Sequence, residues 1–218
     1  MNIFIPLGGE GKRFSKDGYL VPKPLIKVKN KEIIFWLLDS LIFNNDDKIF
    51  ILANQNLKKN KINKIINKKY PKIKITFLNK KTNGPLETLY LFLKNNLKIL
   101  NSGLLILDSD ISFKKDIVEA SKKLDHSTIF YKKNYEKKPI YSYIRMKSNK
   151  NIVQIKEKQK ISNNIGIGSY YFNDLKLIFK ILKNTKFKTK KELYISSIYK
   201  ILINTKNIIK GEEFKYNF

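Results

Sequence analysis

The sequence predicts an α/β fold: a Rossmann-like, mixed and mostly parallel sheet with flanking helices, extended by an antiparallel layer. Short apolar strand-like segments alternate with helix-like segments up to about residue 125. These strands are almost continuously apolar, which is typical of parallel strands covered on both faces. After residue 126, strand-like segments follow one another with little helix between them. We therefore expect a single domain, 1–218, with a core at 1–125 and a second half at 126–218.

The first half alternates between strand and helix in chain order. "KEIIFWLLDSLIF" predicts a helix because its apolar residues recur at helical spacing on one face, namely Ile34, Leu37, Leu38, Leu41 and Ile42. "GPLETLYLFLKNNL" predicts another helix, with Pro85 in its first turn, where proline is tolerated. In all we expect strands at 2–7, 48–53, 73–78 and 103–110, and helices at 31–43, 57–69 and 84–97.

The second half is predicted to be rich in strands. The segments "STIFY", "PIYSYIRM", "NIVQIKEK" and "IGIGSYYF" are all strand-like. His126 precedes the first of them and is expected in a loop. We expect strands at 127–131, 139–146, 151–158, 165–172 and 207–214, and helices at about 174–184 and 190–203.

Composition excludes several classes of function. The chain has 218 residues, no cysteine and one histidine, so thiolate and multi-histidine metal sites are excluded. No apolar run reaches the roughly 18 residues of a membrane span, and no secretory signal is visible, so a cytoplasmic protein without a membrane partner is expected. The net charge is +27, but all basic residues except Arg13 and Arg145 are lysines spread along the chain. Base-reading proteins prefer arginine, so no specific nucleic-acid partner is expected.

A glycine-rich loop follows the first strand and is the first candidate site. Gly8, Gly9 and Gly11 allow a tight turn and bring backbone N–H groups close to an anion. In open α/β sheets, ligands bind beyond the carboxyl ends of the strands, where this loop lies. The loop is neither a Walker loop, since no hydroxyl residue follows Lys12, nor a complete dinucleotide fingerprint. Arg13 would grip two phosphate oxygens with its planar fork.

Lys23 is the second candidate, because it lies between Pro22 and Pro24. A proline restricts the residue before it to an extended backbone, so we expect Lys23 to be extended. Fixing the backbone lowers the entropy lost when the lysine side chain is held against a phosphate.

These segments together resemble one enzyme family. "PLGGEGKRF…PKPLIKVKNKEIIFWLLDSL", "NKKTNGPLETL", "LLILDSD" and "IKEKQKISNNIGIGSYYF" are similar to segments of the sugar-1-phosphate nucleotidyltransferases, which include glucose-1-phosphate thymidylyltransferase and UDP-sugar pyrophosphorylases. The resemblance implies a reaction between an NTP and a sugar 1-phosphate that gives an NDP-sugar and pyrophosphate. It makes the antiparallel second half the sugar side and implies Mg²⁺ as cofactor. Whether the chain forms a homo-oligomer stays open.

The resemblance also implies a role for each matching residue. Arg13, Lys23 and Asp110 would be catalytic. The nucleotide would be bound by Leu7, Gly8, Gly9, Gly11, Asn79 and Gly84. Asn79 falls where pyrimidine-using relatives often have glutamine, and its amide likewise donates and accepts, so a pyrimidine base is favoured. The acceptor would be bound by Glu157, Lys158, Asn163 and Gly168. Ser142 stands where relatives usually have glycine.

The metal site implied by the resemblance is incomplete. Asp110 matches the family's metal-binding aspartate, and Asp108, two residues earlier on the strand, would face the same side. Relatives place a second metal-binding aspartate in a late Trp-x-Asp segment, which is missing from "IIKGEEFKYNF". Asp108, Glu212 and Glu213 are the candidates to replace it. One carboxylate could also suffice, since Mg²⁺ keeps several waters.

Three alternative functions remain open. A cytidylyltransferase acting on phosphocholine or another non-sugar phosphate would share the phosphate-handling residues. A glycosyltransferase is suggested by Asp108-Ser109-Asp110, which forms a D-x-D motif, but such an enzyme would not need the glycine loop with Arg13. The third alternative is an inactive homologue that binds nucleotide only.

Overall fold

A nine-stranded sheet runs through both halves of the chain. The computed structural model describes residues 1–9, 11–189 and 192–214, and for Lys12 and Arg13 it describes the backbone alone. Within these ranges the strands are β1 Asn2–Leu7, β2 Lys27–Val28, β3 Lys31–Glu32, β4 Lys48–Ala53, β5 Lys74–Phe77, β6 Leu104–Leu107, β7 Ser127–Lys133, β8 Ser142–Met146, β9 Ile152–Glu157, β10 Asn164–Phe172 and β11 Ile209–Glu213. The order in the large sheet is β11-β7-β10-β6-β1-β4-β5, with β8 pairing β10 and β9 pairing β8.

The direction of the strands divides the sheet into two parts. Strands β6, β1, β4 and β5 are parallel, whereas β10 is antiparallel to β6, β7 and β8, and β9 is antiparallel to β8. β11 pairs in parallel with β7, and β2 and β3 form a separate two-stranded sheet. The predicted fold class, a mostly parallel sheet with an antiparallel layer, is confirmed. The division near residue 126 stays a prediction, and β10 joins the two halves by pairing with β6.

Helices cover both faces of the sheet. They are α1 Lys12–Lys16, α2 Ile33–Leu38, α3 Gln55–Lys59, α4 Ile62–Lys69, α5 Pro85–Lys94, α6 Ile117–Lys122, α7 Leu175–Lys183 and α8 Ser196–Asn204, with short 3-10 helices at Lys23–Leu25 and Leu97–Asn101. The first strand shows how the faces are built: Ile3 and Ile5 lie in the core shared with α2, α3, α4 and α6, and Phe4 lies in the core shared with α5, α7 and α8. Alternate residues of a strand point to opposite faces, so one apolar strand supplies both cores.

Two predicted helices are shorter than their periodicity indicates. The helix predicted at 57–69 is interrupted at Lys61, which has a left-handed backbone with φ of 54°. The preceding Asn60 donates its side-chain amide to the Asn56 carbonyl, at 2.8 Å, which is a local competitor of the helix ladder. The helix predicted at 31–43 ends at Leu38. Ile42 was therefore wrongly placed on its buried face and is 67% exposed.

Two other predicted elements have different boundaries, and one loop prediction is confirmed. The strand predicted at 103–110 ends at Leu107, so Asp108 and Asp110 lie beyond it. The helix predicted at 190–203 begins at Ser196, and the first two residues of the prediction lie outside the described residues. His126 lies between α6 and β7, outside both elements, as predicted, and its ring contacts the Asp125 carboxylate.

The described helices are short and mixed in polarity. None of those in residues 1–9, 11–189 and 192–214 combines the length and the apolar composition that a bilayer crossing requires.

Candidate active site

The carboxyl ends of the parallel strands meet at one edge of the sheet. β1 lies between β4 and β6, and β5 follows β4, all pointing in the same direction. The segments that leave these strands are Gly8–Gly9, Asn54, residues 78–84 and residues 108–110. The topology therefore brings the glycine loop and the two aspartates next to each other, where ligands of open α/β sheets bind.

The glycine loop is held from two sides. A Cβ atom at Gly8 would collide with the Thr88 hydroxyl and lie 2.8 Å from that of Thr82. Asn54 donates its side-chain amide to the Gly9 carbonyl at 2.6 Å. Gly11 has φ of +65° and precedes α1. Glycine is thus required at Gly8 by close packing and favoured at Gly11 by its left-handed backbone.

Lys23 faces Asp110 across the loop. Its ammonium lies 2.6 Å from the Asp110 carboxylate and 5.5 Å from the centre of the Phe14 ring. The prediction of an extended Lys23 was wrong, since this residue begins a 3-10 helix. The extended residue is Pro22, with ψ of 145°. The Leu25 amide donates to the Pro22 carbonyl at 2.8 Å, which offsets the steric cost of the turn before Pro24. The side chain of Arg13 lies outside the described residues.

Asp108 is packed against the backbone of β10. Its amide donates to the Gly168 carbonyl at 2.8 Å, and a Cβ atom at Gly168 would lie 2.5 Å from an Asp108 carboxylate oxygen. Gly168 has φ of +74°, at the point where the pairing of β10 with β7 shifts register. Only glycine lets β10 approach Asp108 this closely.

The pKa of Asp108 is raised to about 7, chiefly by burial and then by the charge of Asp110. Lys23 acts in the opposite direction, while Glu157 and Glu192 raise the pKa further. The charges of Asp110, Glu157 and Glu192 would favour a cation beside Asp108.

Glu157 is the last residue of β9, and Lys158 follows it. The Ser196 hydroxyl donates to the Glu157 carboxylate at 3.0 Å, and burial raises the pKa of Glu157. Ser142 pairs with Glu157 in the sheet and is buried. Lys158 has a left-handed backbone with φ of 53°, and its ammonium donates to the Tyr194 hydroxyl at 2.9 Å.

Sequence reasoning missed three residues of this region. Tyr194 donates its hydroxyl to the Glu192 carboxylate at 2.7 Å, and Ser196 bonds Glu157. Glu192, Tyr194 and Ser196 occupy every second position of "KKELYISS", in a stretch that was predicted as helix. This period of two was the signal from which they could have been found. The pattern predicts one face of an extended segment rather than a helix.

Two predicted residues lie at the margin of the site. Asn79 is exposed and follows Leu78, whose carbonyl accepts a hydrogen bond from Gln55. Asn163 is exposed just before β10, and its carbonyl accepts from the Asn134 amide at 2.7 Å. Their roles stay predictions.

The donor set of the edge is small. Among the described residues, no group of three or more histidine, aspartate or glutamate side chains could hold a metal ion. Glu212, one candidate for an additional carboxylate, pairs instead with Lys150 at 3.3 Å. Asp108 and Asp110 form an oxygen donor pair with mutual repulsion. Such a pair fits Mg²⁺, which takes one or two carboxylates and completes its shell with water and phosphate oxygens.

Gly84 has φ of +112°, and a Cβ atom there would lie 2.6 Å from the Leu193 carbonyl oxygen. We expect Gly84→Ala to lower the free energy of unfolding by about 2 kcal/mol, because both the backbone angle and the contact are unfavourable for alanine. Gly18→Ala is the matched control, since Gly18 has φ of +85° but open space around it. Urea denaturation measures both losses. Equal losses would show that Leu193 does not constrain position 84.

The raised pKa of Asp108 predicts a pH dependence of stability. The native state holds this proton up to about pH 7, whereas the unfolded carboxyl loses it near its ordinary value of 3.8. The free energy of unfolding of the ligand-free chain should therefore fall between pH 4 and pH 7. Asp108→Asn should remove this fall and be more stable than the parent at pH 8, by on the order of 1 kcal/mol. Urea denaturation at pH 5 and pH 8 tests this, with Asp46→Asn as the exposed control. The same pH dependence in Asp108→Asn as in the parent would contradict it.

Comparison with known proteins agrees with the resemblance seen in the sequence. The model of the family described as Nucleotidyl transferase matches residues 4–213. No curated protein sequence matches the chain.

Several solved structures share the fold at low sequence identity. The nucleoside-diphosphate-sugar pyrophosphorylase from Vibrio cholerae RC9 has a TM-score of 0.80 at 19% identity, covering 97% of this chain and 91% of that one. A UDP-glucose pyrophosphorylase complexed with UDP-glucose has a TM-score of 0.77 at 20% identity, covering 99% and 91%. The inositol-1-phosphate CTP transferase from T. maritima has a TM-score of 0.79 at 14% identity, covering 98% and 85%. These likenesses show a common fold, and the match over residues 4–213 shows that the chain belongs to the nucleotidyl transferase family.

Proposed function

We propose that the chain couples an NTP, with a pyrimidine base favoured, to a sugar 1-phosphate and forms an NDP-sugar and pyrophosphate. The observation that carries the proposal is the 2.6 Å pair of Lys23 and Asp110 beside the glycine loop. There, the Lys23 ammonium and a metal ion held by the Asp110 carboxylate would contact the same phosphate. Family membership supports nucleotidyl transfer, and the neighbouring pyrophosphorylase structures support an acceptor that is a sugar phosphate.

The nucleotide would lie over the glycine loop. The backbone of Leu7, Gly8, Gly9 and Gly11 would face the phosphates, since glycines leave the N–H groups accessible. Arg13 would neutralise the triphosphate and the leaving group. Asn79 and Gly84 would contact the base, and the Asn79 amide suits a pyrimidine because it both donates and accepts.

The acceptor would contact the end of β9 and residues in and just before β10. The Lys158 ammonium would bind its phosphate, and the Glu157 carboxylate would accept hydrogen bonds from its hydroxyl groups. Asn163 and Gly168 would line the rest of the pocket. The contact between Gly168 and Asp108 supports this arrangement, because it places the acceptor side of the sheet beside the metal-binding carboxylates.

The chemistry is the transfer of a nucleotidyl group. An oxygen of the acceptor phosphate forms a bond to the α-phosphorus, and the bond from the α-phosphorus to the oxygen bridging to the β-phosphorus breaks. Pyrophosphate leaves with that electron pair, and no protein group is covalently modified. Lys23 would stabilise the charge at the α-phosphate and hold the two reactants in line. Positioning and charge stabilisation provide most of the rate enhancement in such reactions.

Asp110, with Asp108 beside it, would hold Mg²⁺. The ion, when bound, neutralises phosphate charge and fixes the phosphate oxygens relative to these carboxylates. The repulsion between the two aspartates supports this assignment, since a bound cation relieves it.

A second candidate function is transfer of a cytidylyl group to a non-sugar phosphate. The similarity to a structure described as an inositol-1-phosphate CTP transferase favours this alternative. The residues that handle phosphate would be the same. We retain a cytoplasmic location and the absence of a specific nucleic-acid partner as predictions from the sequence.

A panel of four NTPs against several phosphate acceptors tests the proposed function. With Mg²⁺ present, pyrophosphate should be released only when an NTP and its acceptor are both present, and chelation of the metal should stop it. Phosphocholine and inositol 1-phosphate test the second candidate. Hydrolysis of an NDP-sugar without pyrophosphate release would favour the D-x-D glycosyltransferase. No turnover together with nucleotide binding would favour an inactive homologue.

Lys158→Ala should raise KM for the acceptor phosphate at least about tenfold, since a charge-assisted hydrogen bond is worth about 1.5 to 3 kcal/mol. KM for the NTP should change little. Lys160→Ala is the matched control, because the Lys160 ammonium donates only to the Tyr135 and Glu136 carbonyls among its described hydrogen bonds. Initial rates with each substrate varied in turn measure both constants. A rise confined to the NTP would remove Lys158 from the acceptor site.

A further inference from the structure

The segment between α7 and α8, described at residues 185–189 and 192–195 and called the strap here, is tied to the loop that follows β5. The Asn83 side-chain amide donates to the Phe187 carbonyl at 3.1 Å and to the carbonyl and hydroxyl of Thr189, both at 2.9 Å. One amide group therefore fixes the first part of the strap. A carboxamide nitrogen carries two hydrogens, so the three acceptors share them.

Backbone hydrogen bonds fix the second part of the strap at the same place. The Leu193 amide donates to the Asn83 carbonyl at 2.9 Å, and the Leu86 amide donates to the Leu193 carbonyl at 3.1 Å. Gly84 lies between these two bonds, and a Cβ atom on it would be 3.0 Å from Cγ of Glu192. The strap thus packs directly on the glycine that is proposed to contact the base.

The same strap holds the two residues proposed for the acceptor. Tyr194 accepts a hydrogen bond from the Lys158 ammonium and donates one to the Glu192 carboxylate. Ser196, at the start of α8, donates to Glu157. One short segment therefore contacts the nucleotide side through Gly84 and the acceptor side through Lys158.

We propose that Asn83 is a positioning residue that couples the two substrate sites through the strap. The inference rests on the proposed function. A base bound beside Gly84 orders the loop of Asn83; this loop orders the strap, and the strap holds the Lys158 ammonium where the acceptor phosphate binds. The conformational entropy that the loop and the strap lose on becoming ordered is then lost only once for both ligands. Each ligand therefore raises the affinity for the other by the same factor.

Asn83→Asp tests the proposal with almost no change in size. The carboxylate accepts hydrogen bonds only, so it would repel the three oxygen atoms that the amide now holds. Calorimetric titrations would use α,β-methylene-UTP with glucose 1-phosphate and α,β-methylene-CTP with phosphocholine, pairs in which no transfer occurs. In the parent, the nucleotide analogue should raise the acceptor affinity at least about fivefold. In Asn83→Asp the factor should be close to one.

Two further variants separate coupling from folding. Asn96→Ala is the matched control, since its amide donates to the Phe92 carbonyl at 2.8 Å within the fold, and it should keep the coupling. Tyr194→Phe removes the hydroxyl that accepts the hydrogen bond from Lys158 and should also abolish the coupling. This variant therefore tests the proposal if Asn83→Asp does not fold. Thermal unfolding of every variant verifies the fold.

The possible results separate the inference from the function on which it rests. A parent that binds both ligands of a pair without coupling, or a Tyr194→Phe variant that keeps the coupling of the parent, would overturn the inference and leave the proposed function standing. Full coupling in a folded Asn83→Asp variant would do the same. A parent that binds neither nucleotide analogue would overturn both.

Discussion

The ion pair of Lys23 and Asp110 is the interaction around which the site is organised. It joins the 3-10 helix that begins at Lys23 to the segment after β6, at the edge of the sheet where we propose that the nucleotide binds. The side chains are 26% and 45% exposed, and exposed ion pairs contribute little to stability. We interpret the position of this pair, at the carboxyl edge of a parallel sheet, as that of a proposed phosphate-binding site. Lys23 would contact the phosphate directly, and Asp110 would contact it through a metal ion.

Three glycines allow close contacts between chain segments in the region of the site. Gly8 brings β1 against Thr82 and Thr88, Gly168 brings β10 against Asp108, and Gly84 brings the loop after β5 against the strap. Each position tolerates no Cβ atom without a shift of its neighbour. The chemistry of such a site would depend on side chains, but the spacing of its segments depends on these close contacts.

The sequence predicted the alternation of elements and the sheet class, because long apolar strands are local signals. It also predicted the glycine loop at the carboxyl edge of the sheet, and the ligand of that loop stays a proposal. It did not predict the break at Lys61 or the early end of α2, where short polar contacts override helical periodicity. It also missed Glu192, Tyr194 and Ser196, since the hydrogen bonds that connect them with the site involve Lys158 and Glu157, more than thirty residues earlier. Lys23 was expected to be extended, but a turn hydrogen bond outweighs the restriction imposed by Pro24.

Tracing oxygen through the reaction tests the central claim, that the site transfers a nucleotidyl group to a phosphate oxygen. The acceptor would carry ¹⁸O in all oxygens of its phosphate, and ³¹P NMR would locate the label in the products. The account predicts that every labelled oxygen stays in the NDP-linked product, one of them bridging the two phosphorus atoms, and that pyrophosphate carries none. Labelled inorganic phosphate released from the acceptor, or loss of the label from the bridge, would contradict it.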